Sequence, residues 1–116
     1  MKSIKYLLTA IFLISSALAD DTGRITGRII DRLTKEPLAG VNVSLLQTSQ
    51  GASSAGDGWF LINNVPEGLH RLEFSYAGYQ NRIVSDIAVT SFKAAIVNIQ
   101  MIEEIYEGEK IIVTAG

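Results

Sequence analysis

Apolar and polar residues alternate with a period of two along several short stretches of the chain, a pattern typical of β-strands with one buried face. The clearest stretches are 24–31, 41–45, 70–76 and 95–101. In the first of them Ile25, Gly27 and Ile29 share one side, and because Gly27 has no side chain we expect a neighbouring group to lie over it. Residues 20–116 contain no sustained 3.6-residue period with capping residues, so the pattern predicts no helix there.

The segment from residue 54 to residue 68 carries the strongest turn signals. Two glycines flank Asp57, so the backbone can adopt the positive φ of a tight turn, and we expect a hairpin. The next four residues, 59–62, read Trp-Phe-Leu-Ile, which predicts a short buried strand with apolar side chains on both faces. Two asparagines and Pro66 follow, so we expect the strand to stop there and the chain to re-enter a sheet at Leu69.

Two other regions are less regular. Residues 47–53 are small and polar, which predicts a mobile surface loop. Residues 79–89 indicate one long strand, or two short strands interrupted at Ser85 and Asp86. Taken together, the pattern predicts an all-β domain over residues 20–102, an antiparallel two-sheet sandwich of about seven strands.

The first nineteen residues have the layout of a secretory signal peptide. Lys2 and Lys5 form a short basic start, an apolar run follows, and the small residues Ala17-Leu18-Ala19 precede Asp20. The apolar run is shorter than the roughly 20 residues that span a bilayer, and a short membrane anchor is the alternative. We therefore expect the protein to be exported.

The charge and composition of the exported chain argue against several classes of function. Without Lys2 and Lys5, eight basic residues stand against twelve acidic ones, a net charge of −4. An acidic chain with no basic cluster does not suit nucleic acid or an anionic membrane surface. The chain contains no cysteine, so a disulfide framework, a thiolate metal site and a cysteine nucleophile are all excluded. The core of this one small domain must therefore be held by packing alone.

The character of the chain changes after Met101. Glutamates at positions 103, 104, 107 and 109 predict a solvated acidic linker within the segment 103–116. The last six residues, 111–116, read Ile-Ile-Val-Thr-Ala-Gly and favour a β-strand. An uncovered segment of this kind promotes aggregation in a solitary domain, but it suits a partner that adds it to its own sheet. We favour the partner-binding interpretation.

Five short motifs stand in a fixed order between Gly27 and Tyr79. They are Gly27-x-x-x-Asp31, Glu36-Pro37-Leu38-x-Gly40-Val41-x-Val43, Gly56-Asp57-Gly58-x-Phe60, Val65-Pro66-x-Gly68 and Ser75-x-x-Gly78-Tyr79. In this order and spacing they resemble the carboxypeptidase regulatory-like domain. The resemblance implies a transthyretin-like Greek-key sandwich. It implies no zinc site in this chain, because the zinc of the carboxypeptidases belongs to the catalytic domain to which this domain is attached.

The segment from Glu109 to Ala115 resembles the TonB box of TonB-dependent outer-membrane receptors. In many such receptors a carboxypeptidase regulatory-like domain stands between the signal peptide and the box, and a plug and a large β-barrel follow. The resemblance implies strand pairing with TonB, the periplasmic energy transducer, through Ile111, Ile112, Val113, Thr114 and Ala115. It places the chain in the periplasm or at the outer membrane of a Gram-negative bacterium, where the plug and barrel of the same receptor would take up a nutrient.

The sequence ends at Gly116, where the plug of such a receptor would begin. We expect either a fragment of a receptor or a short product that retains only its front end.

Candidate catalytic and metal-binding groups are few. His70 is the only histidine, and we expect it to pack at a strand edge rather than to face a ligand. Asp57 could hold a cation with Asp20, Asp21 or Asp86, but an aspartate in a turn more often accepts backbone N–H groups. We therefore expect no metal, no cofactor and no enzymatic activity, and a hydrolase of the transthyretin-like type is the least favoured hypothesis.

Trp59 and Tyr79 are the candidates for an exposed aromatic platform, which would form a ligand surface together with Asp57. The favoured alternative is that both rings cover the edge of the core. Two functions remain in competition, a receptor module with a TonB box and a free-standing secreted sandwich that binds a glycan or a protein. The nucleotide sequence after the codon for Gly116 separates them, because a reading frame that encodes a plug and a barrel supports only the first.

Overall fold

The computed structural model describes residues 21–104, which form eight β-strands and no helix. The strands are β1 Thr22–Asp31, β2 Asn42–Leu45, β3 Gly51–Ser53, β4 Trp59–Pro66, β5 Gly68–Ser75, β6 Arg82–Val89, β7 Ala95–Ile96 and β8 Ile99–Met101. Within this range no helix has the length and hydrophobicity that a membrane span requires. The predicted signal peptide, residues 1–19, and the predicted partner-binding segment, Ile111–Ala115, lie outside the described residues.

The strands form two sheets of four strands each, so the predicted all-β two-sheet class is confirmed. In one sheet β1 lies between β4 on one side and both β7 and β8 on the other. The other sheet has the order β3-β2-β5-β6. Each sheet alternates buried and exposed residues along its strands, which is why the period of two in the sequence located most of them.

The core lies between the inner faces of the two sheets. Ile25 and Ile29 of β1 and Val43 of β2 are fully buried there. Phe60 of β4 and Phe74 of β5 meet across the layers edge to face, with their ring centroids 5.6 Å apart. Such a ring pair adds about 0.5–1.5 kcal/mol to what burial alone contributes, so this contact helps to hold the two sheets together.

The last two strands run parallel to β1, whereas the sequence analysis predicts antiparallel pairing throughout. Ile25 is in register with Ala95, and Ile29 with Ile99. The reason lies in the preceding strand, because β6 ends beside Gly68, at the end of the sandwich where β1 starts. The chain crosses to the other sheet at that end and then runs in the same direction as β1. The prediction was wrong for this pairing and right for the class.

Gly27 lies in β1 between the residues that pair with β7 and the residues that pair with β8. A Cβ atom on Gly27 would lie 1.7 Å from the carbonyl oxygen of Val97 and 3.0 Å from the ring of Phe60. The backbone of Val97 also donates a hydrogen bond to the carbonyl of Thr26, at 2.9 Å. The prediction that a neighbouring group lies over Gly27 is therefore confirmed, and that group is a backbone carbonyl.

The turn around Asp57 is tight, but it does not form the predicted hairpin. Ala55 accepts a hydrogen bond from Gly58 and donates one to Trp59, both at 2.8 Å between backbone atoms. The strands on either side belong to different sheets, because β3 pairs with β2 and β4 pairs with β1. The turn therefore carries the chain from one layer to the other.

Strand β4 is buried on one face only, which corrects the prediction of apolar burial on both faces. Phe60 is buried, whereas Trp59 and Leu61 on the opposite face are 45% and 48% exposed. The strand also continues past the two asparagines to Pro66, through a bulge at which Asn64 has a φ of 58°. Asparagine tolerates this left-handed conformation better than most residues, so it bends the strand instead of ending it.

Strand β6 also bends at a bulge that contains a polar residue with a positive φ. It runs unbroken from Arg82 to Val89, and Ser85 and Asp86 together lie opposite a single residue of β5. Asp86 has a φ of 60° at this bulge. Of the two predicted alternatives, one long strand is therefore correct, although it begins at Arg82 rather than at Tyr79.

Residues 51–53 form strand β3, where the sequence analysis predicts a surface loop. Asn42 pairs with Ser53 and Ser44 with Gly51 in antiparallel register. The turn that joins β2 to β3 closes with a 3.0 Å backbone hydrogen bond from Leu45 to Gln50. The strand is held by its backbone and presents only small side chains, so the alternation that marks the other strands is missing.

Candidate functional site

Two polar clusters form at the same end of β1, one on each of its faces. Alternation along the strand turns Arg28 outward, where it is exposed, and Asp31 inward, where it is only 6% exposed. Each cluster contains one of the two predicted aromatic residues, Trp59 outside and Tyr79 inside. Because the two rings lie on opposite faces of the sheet, they do not combine into one platform.

The inner cluster is centred on the carboxylate of Asp31. One oxygen, Oδ1, accepts hydrogen bonds from the backbone N–H groups of Leu33 and Thr34 at 2.7 and 2.9 Å. The other, Oδ2, accepts the hydroxyl proton of Tyr79 at 2.6 Å. A buried carboxylate is tolerated only when its oxygens are hydrogen-bonded, and here both are.

These contacts shift the pKa values of both side chains. The hydrogen bond from Tyr79 is the main cause that lowers the pKa of Asp31 below its ordinary 3.8, and the N–H groups of the turn add to it against the opposing effect of burial. The same hydrogen bond, reinforced by burial and by the negative charge of Asp31, raises the pKa of Tyr79 from 10.0 to about 12. The pair is therefore a carboxylate and a neutral phenol over the whole physiological range, which suits a structural contact.

The segment after β8 joins the inner cluster. Tyr79 forms a backbone bridge with Glu103, and Glu104 donates a 2.8 Å hydrogen bond to the carbonyl of Gly78. The ring of Tyr79 also packs against Tyr76, with centroids 5.5 Å apart. The backbone pairing of the domain thus continues to Glu104, into the segment where the acidic linker is predicted to begin.

The outer cluster is an open groove of about 510 Å³. Its polar lining consists of Arg28, Arg82, Asn98 and Gln100, and Trp59 forms its aromatic wall. Ile30 and Ile99 complete the lining. None of these described lining residues is acidic, although the chain as a whole is.

Both arginines of the groove are anchored by backbone carbonyls. The Nε of Arg28 donates to the carbonyl of Asp57 at 3.1 Å, and Nη1 of Arg82 donates to the carbonyl of Gln100 at 3.0 Å. Neither guanidinium has a carboxylate partner among the described residues. Each therefore keeps its full positive charge and several N–H donors for a further contact.

The side chains of Asp57 and His70 each form a hydrogen bond with a backbone group close to them in sequence. Asp57 Oδ1 accepts the N–H of Trp59 at 3.1 Å, which is the contact expected of an aspartate in a turn. His70 is half-buried on β5, and its Nε2 donates to the carbonyl of Pro66 at 2.6 Å. Residues 21–104 contain no group of three histidine, aspartate or glutamate side chains that could hold a metal ion. Within the same range no buried side-chain nitrogen or oxygen lacks a hydrogen-bond partner.

Sequence reasoning missed most of the outer cluster. The outward position of Arg28 follows from its alternation with Ile25 and Ile29. Arg82 at the start of β6 and Asn98 between β7 and β8 lie beside it only because of the parallel pairing and the strand order. Asp31 also carried a usable signal, because it continues the inward positions of β1. A charged residue at an inward position predicts a partner, and that partner is Tyr79.

Comparison with known families assigns the sandwich. A family model described as the CarboxypepD_reg-like domain matches residues 25–113. The chain belongs to this family. The resemblance carried by the five motifs is thereby confirmed, and the CarboxypepD_reg-like domain is a non-catalytic module. The sequence has no significant match among curated proteins.

Several solved structures share the fold of this CarboxypepD_reg-like domain. One chain of a type II cohesin–X–dockerin complex from Acetivibrio cellulolyticus is similar in structure, with 22% identity and a TM-score of 0.59. The match covers 68% of the present chain and 56% of that chain. A candidate carbohydrate-binding protein from Bacteroides uniformis matches 72% of the chain over 42% of its own, with 20% identity and a TM-score of 0.55. A minor pilin from Streptococcus agalactiae is similar over 74% of the present chain and 46% of the pilin chain, with 19% identity and a TM-score of 0.54.

These matches show the fold alone, since their identities are low. The chain spans little more than half of the length of the first of these structures and less than half of the other two. The same fold therefore occurs within longer proteins of different kinds.

Proposed function

We propose that this CarboxypepD_reg-like domain is the N-terminal periplasmic module of a TonB-dependent outer-membrane receptor. In this function the sandwich itself performs no chemistry. The segment Ile111–Ala115 pairs with TonB by strand addition, and the plug and barrel of the same receptor carry the nutrient. The module is exported by the signal peptide in residues 1–19 and binds no nucleic acid.

The observation that carries the proposal is the order of the parts along the chain. A signal-peptide pattern, a CarboxypepD_reg-like sandwich, an acidic stretch and a TonB-box-like segment follow one another. The last described backbone hydrogen bond of the sandwich is made by Glu104, seven positions before Ile111. In sequence, the box therefore begins seven positions after the last described hydrogen bond of the domain.

The chemistry of the segment supports strand addition. Residues 111–115 are all β-branched apart from one alanine, so they favour an extended backbone whose amides a partner strand can use. The glutamates that precede them favour solvation over burial and keep the segment accessible. An uncovered β-prone segment would otherwise promote aggregation.

Binding of the full chain to the periplasmic domain of TonB tests the proposal. We expect the full chain and a peptide of residues 109–116 both to bind, and Val113→Pro to abolish binding of the full chain because proline removes a backbone N–H from the added strand. Gly108→Pro, which lies in the linker, is the matched control and should leave binding unchanged. If neither the full chain nor the peptide binds, the proposal is wrong.

A second candidate function is a secreted sandwich that binds a glycan or a protein. The observation that favours it is the groove beside Trp59, whose arginines have no carboxylate partner among the described residues. The fold is also that of a candidate carbohydrate-binding protein. A screen of the full chain against immobilised glycans, with Trp59→Ala as the control, tests this function independently of TonB.

A further inference from the structure

We propose that the groove formed by Trp59, Arg28, Arg82, Asn98 and Gln100 binds an acidic sugar, a pyranose ring that carries a carboxylate. The inference rests on the second candidate function, that the sandwich binds a ligand, and it does not depend on TonB.

The charge of the groove selects an anion. Arg28 and Arg82 line the same open space of about 510 Å³, and no acidic residue is among the described residues that line it. Two anchored guanidinium groups suit a carboxylate well, because their fixed N–H donors match the geometry of its two oxygens. The exported chain has a net charge of −4, so this positively charged groove differs in sign from the chain as a whole.

The wall of the groove selects a ring with an apolar face. Trp59 lies opposite Arg28 in the register of β4 and β1, so the indole and the guanidinium are neighbours on the outer surface. The indole is 45% exposed. An exposed indole beside polar groups offers a flat apolar surface to the C–H face of a pyranose, while the surrounding donors remain available to its substituents.

The remaining lining residues fit hydroxyl groups. The side-chain oxygen of Asn98 accepts the backbone N–H of Arg28 at 3.0 Å, which fixes the orientation of the amide and leaves its NH₂ group to donate. Gln100 adds a second amide two residues further along the same face. Donors of this kind bind sugar hydroxyls, and they distinguish a sugar acid from a simple carboxylate.

A long polyanion fits the surface poorly. The positive charge of the groove is limited to two residues, and the acidic character of the rest of the chain repels an extended phosphate backbone. The competing occupant of most interest is the chain itself, because residues 103–109 contain four glutamates and follow Gln100 closely in sequence.

Fluorescence of Trp59 provides a direct test, since it is the only tryptophan in the chain. The full chain is titrated with a galacturonic acid oligomer of about three units, and with the corresponding neutral galactose oligomer. We expect the acidic oligomer to bind at least about tenfold more tightly than the neutral one. Added salt should weaken the binding of the acidic oligomer and leave the binding of the neutral oligomer little changed.

Variants assign the contacts. Arg28→Gln and Arg82→Gln should each weaken binding of the acidic oligomer by about tenfold or more. The matched control is Arg24→Gln, which removes the same charge from the outer face of β1 away from the groove and should stay within about twofold. Urea unfolding of each variant should match the parent chain, which shows that the loss is one of binding.

Two results would overturn the proposal. Equal binding of the acidic and neutral oligomers would leave a glycan-binding sandwich but remove the acidic ligand. Binding of the acidic oligomer only after the paired changes Glu107→Gln and Glu109→Gln would assign the groove to the acidic segment of the chain itself.

Discussion

Each face of β1 carries a cluster of one charged and one aromatic residue. The inner cluster is largely buried and fully hydrogen-bonded, whereas the outer cluster is exposed and keeps unused donors. On the inner face, Asp31 and Tyr79 share a hydrogen bond of 2.6 Å, and both oxygens of the carboxylate have partners. On the outer face, Arg28 and Trp59 are neighbours, the indole is half-exposed, and the guanidinium makes one contact to a backbone carbonyl.

The difference shows how alternation along one strand separates structure from recognition. A charged group turned inward must have every partner supplied by the fold, because an unpaired buried charge is costly. A charged group turned outward can keep unused donors, because water satisfies them until a ligand replaces it. We therefore expect changes at the inner cluster to act on folding and changes at the outer cluster to act on binding.

The largest expected effect is at Gly27, which precedes both clusters on β1. Gly27→Ala would place a methyl group against the carbonyl of Val97, and we expect a loss of about 3 kcal/mol or more in the free energy of unfolding, measured by urea denaturation. The control is Gly56→Ala, because no atom lies within 4 Å of a Cβ at Gly56, and it should change stability by less than about 0.5 kcal/mol. Equal stability of the two variants would mean that the backbone carbonyl of Val97 does not lie over Gly27.

One substitution on each face of β1 tests whether the inner cluster contributes more to folding than the outer cluster does. Tyr79→Phe removes the hydroxyl that binds Asp31, and we expect a loss of roughly 1–2 kcal/mol in urea unfolding at pH 7, reduced from the full value of a charged hydrogen bond by partial exposure. Trp59→Phe on the outer face should cost less than about 0.5 kcal/mol, since the ring is half-exposed. If the outer substitution costs as much as the inner one, the proposed division of roles fails.

Alkaline titration tests the hydrogen bond between Tyr79 and Asp31 in the inner cluster. The pKa of Tyr79 is raised to about 12, so the folded state holds this proton more tightly than the unfolded state. The resulting stability is present below the ordinary value of 10.0 and is lost as pH rises through about 12. The difference in unfolding midpoint between the parent chain and Tyr79→Phe should therefore shrink across this range, and a constant difference would contradict the assignment.

Acid titration should reveal a smaller effect from Asp31. Its pKa is lowered, so its contribution to stability is present above the ordinary value of 3.8 and is lost as pH falls through the lower folded value. Asp31→Asn keeps the shape of the side chain but cannot lose a charge. Its stability should therefore fall less than that of the parent chain between pH 5 and pH 2, as measured by chemical unfolding at about six pH values.

Sequence reasoning located the strands wherever the inward positions are apolar. Ile25 and Ile29, Phe74, and Val97 with Ile99 all occupy the core as their alternation predicts. It failed at β3, whose residues are small and whose pairing is made by the backbone, and at the bulges of Asn64 and Asp86, where polar residues bend a strand without ending it.

The candidate site was harder to predict because it depends on which strands are neighbours. Trp59 and Asp57 are close in sequence, and their turn is recognisable from its glycines. Arg82 reaches the groove only because the start of β6 lies beside β8, and no local pattern gives that arrangement. The segment Ile111–Ala115 and its predicted pairing with TonB lie beyond the described residues and stay a prediction.

The parallel pairing of β1 with β8 has a mechanical consequence. The N-terminal end of β1 and the C-terminal end of β8 point to opposite poles of the sandwich, about 30 Å apart along ten residues of β1. A pulling force applied between residue 21 and residue 104 is therefore directed along these strands, in shear. Their hydrogen bonds must then break together rather than one after another, so the sandwich transmits tension along β1 and β8 without these strands separating residue by residue.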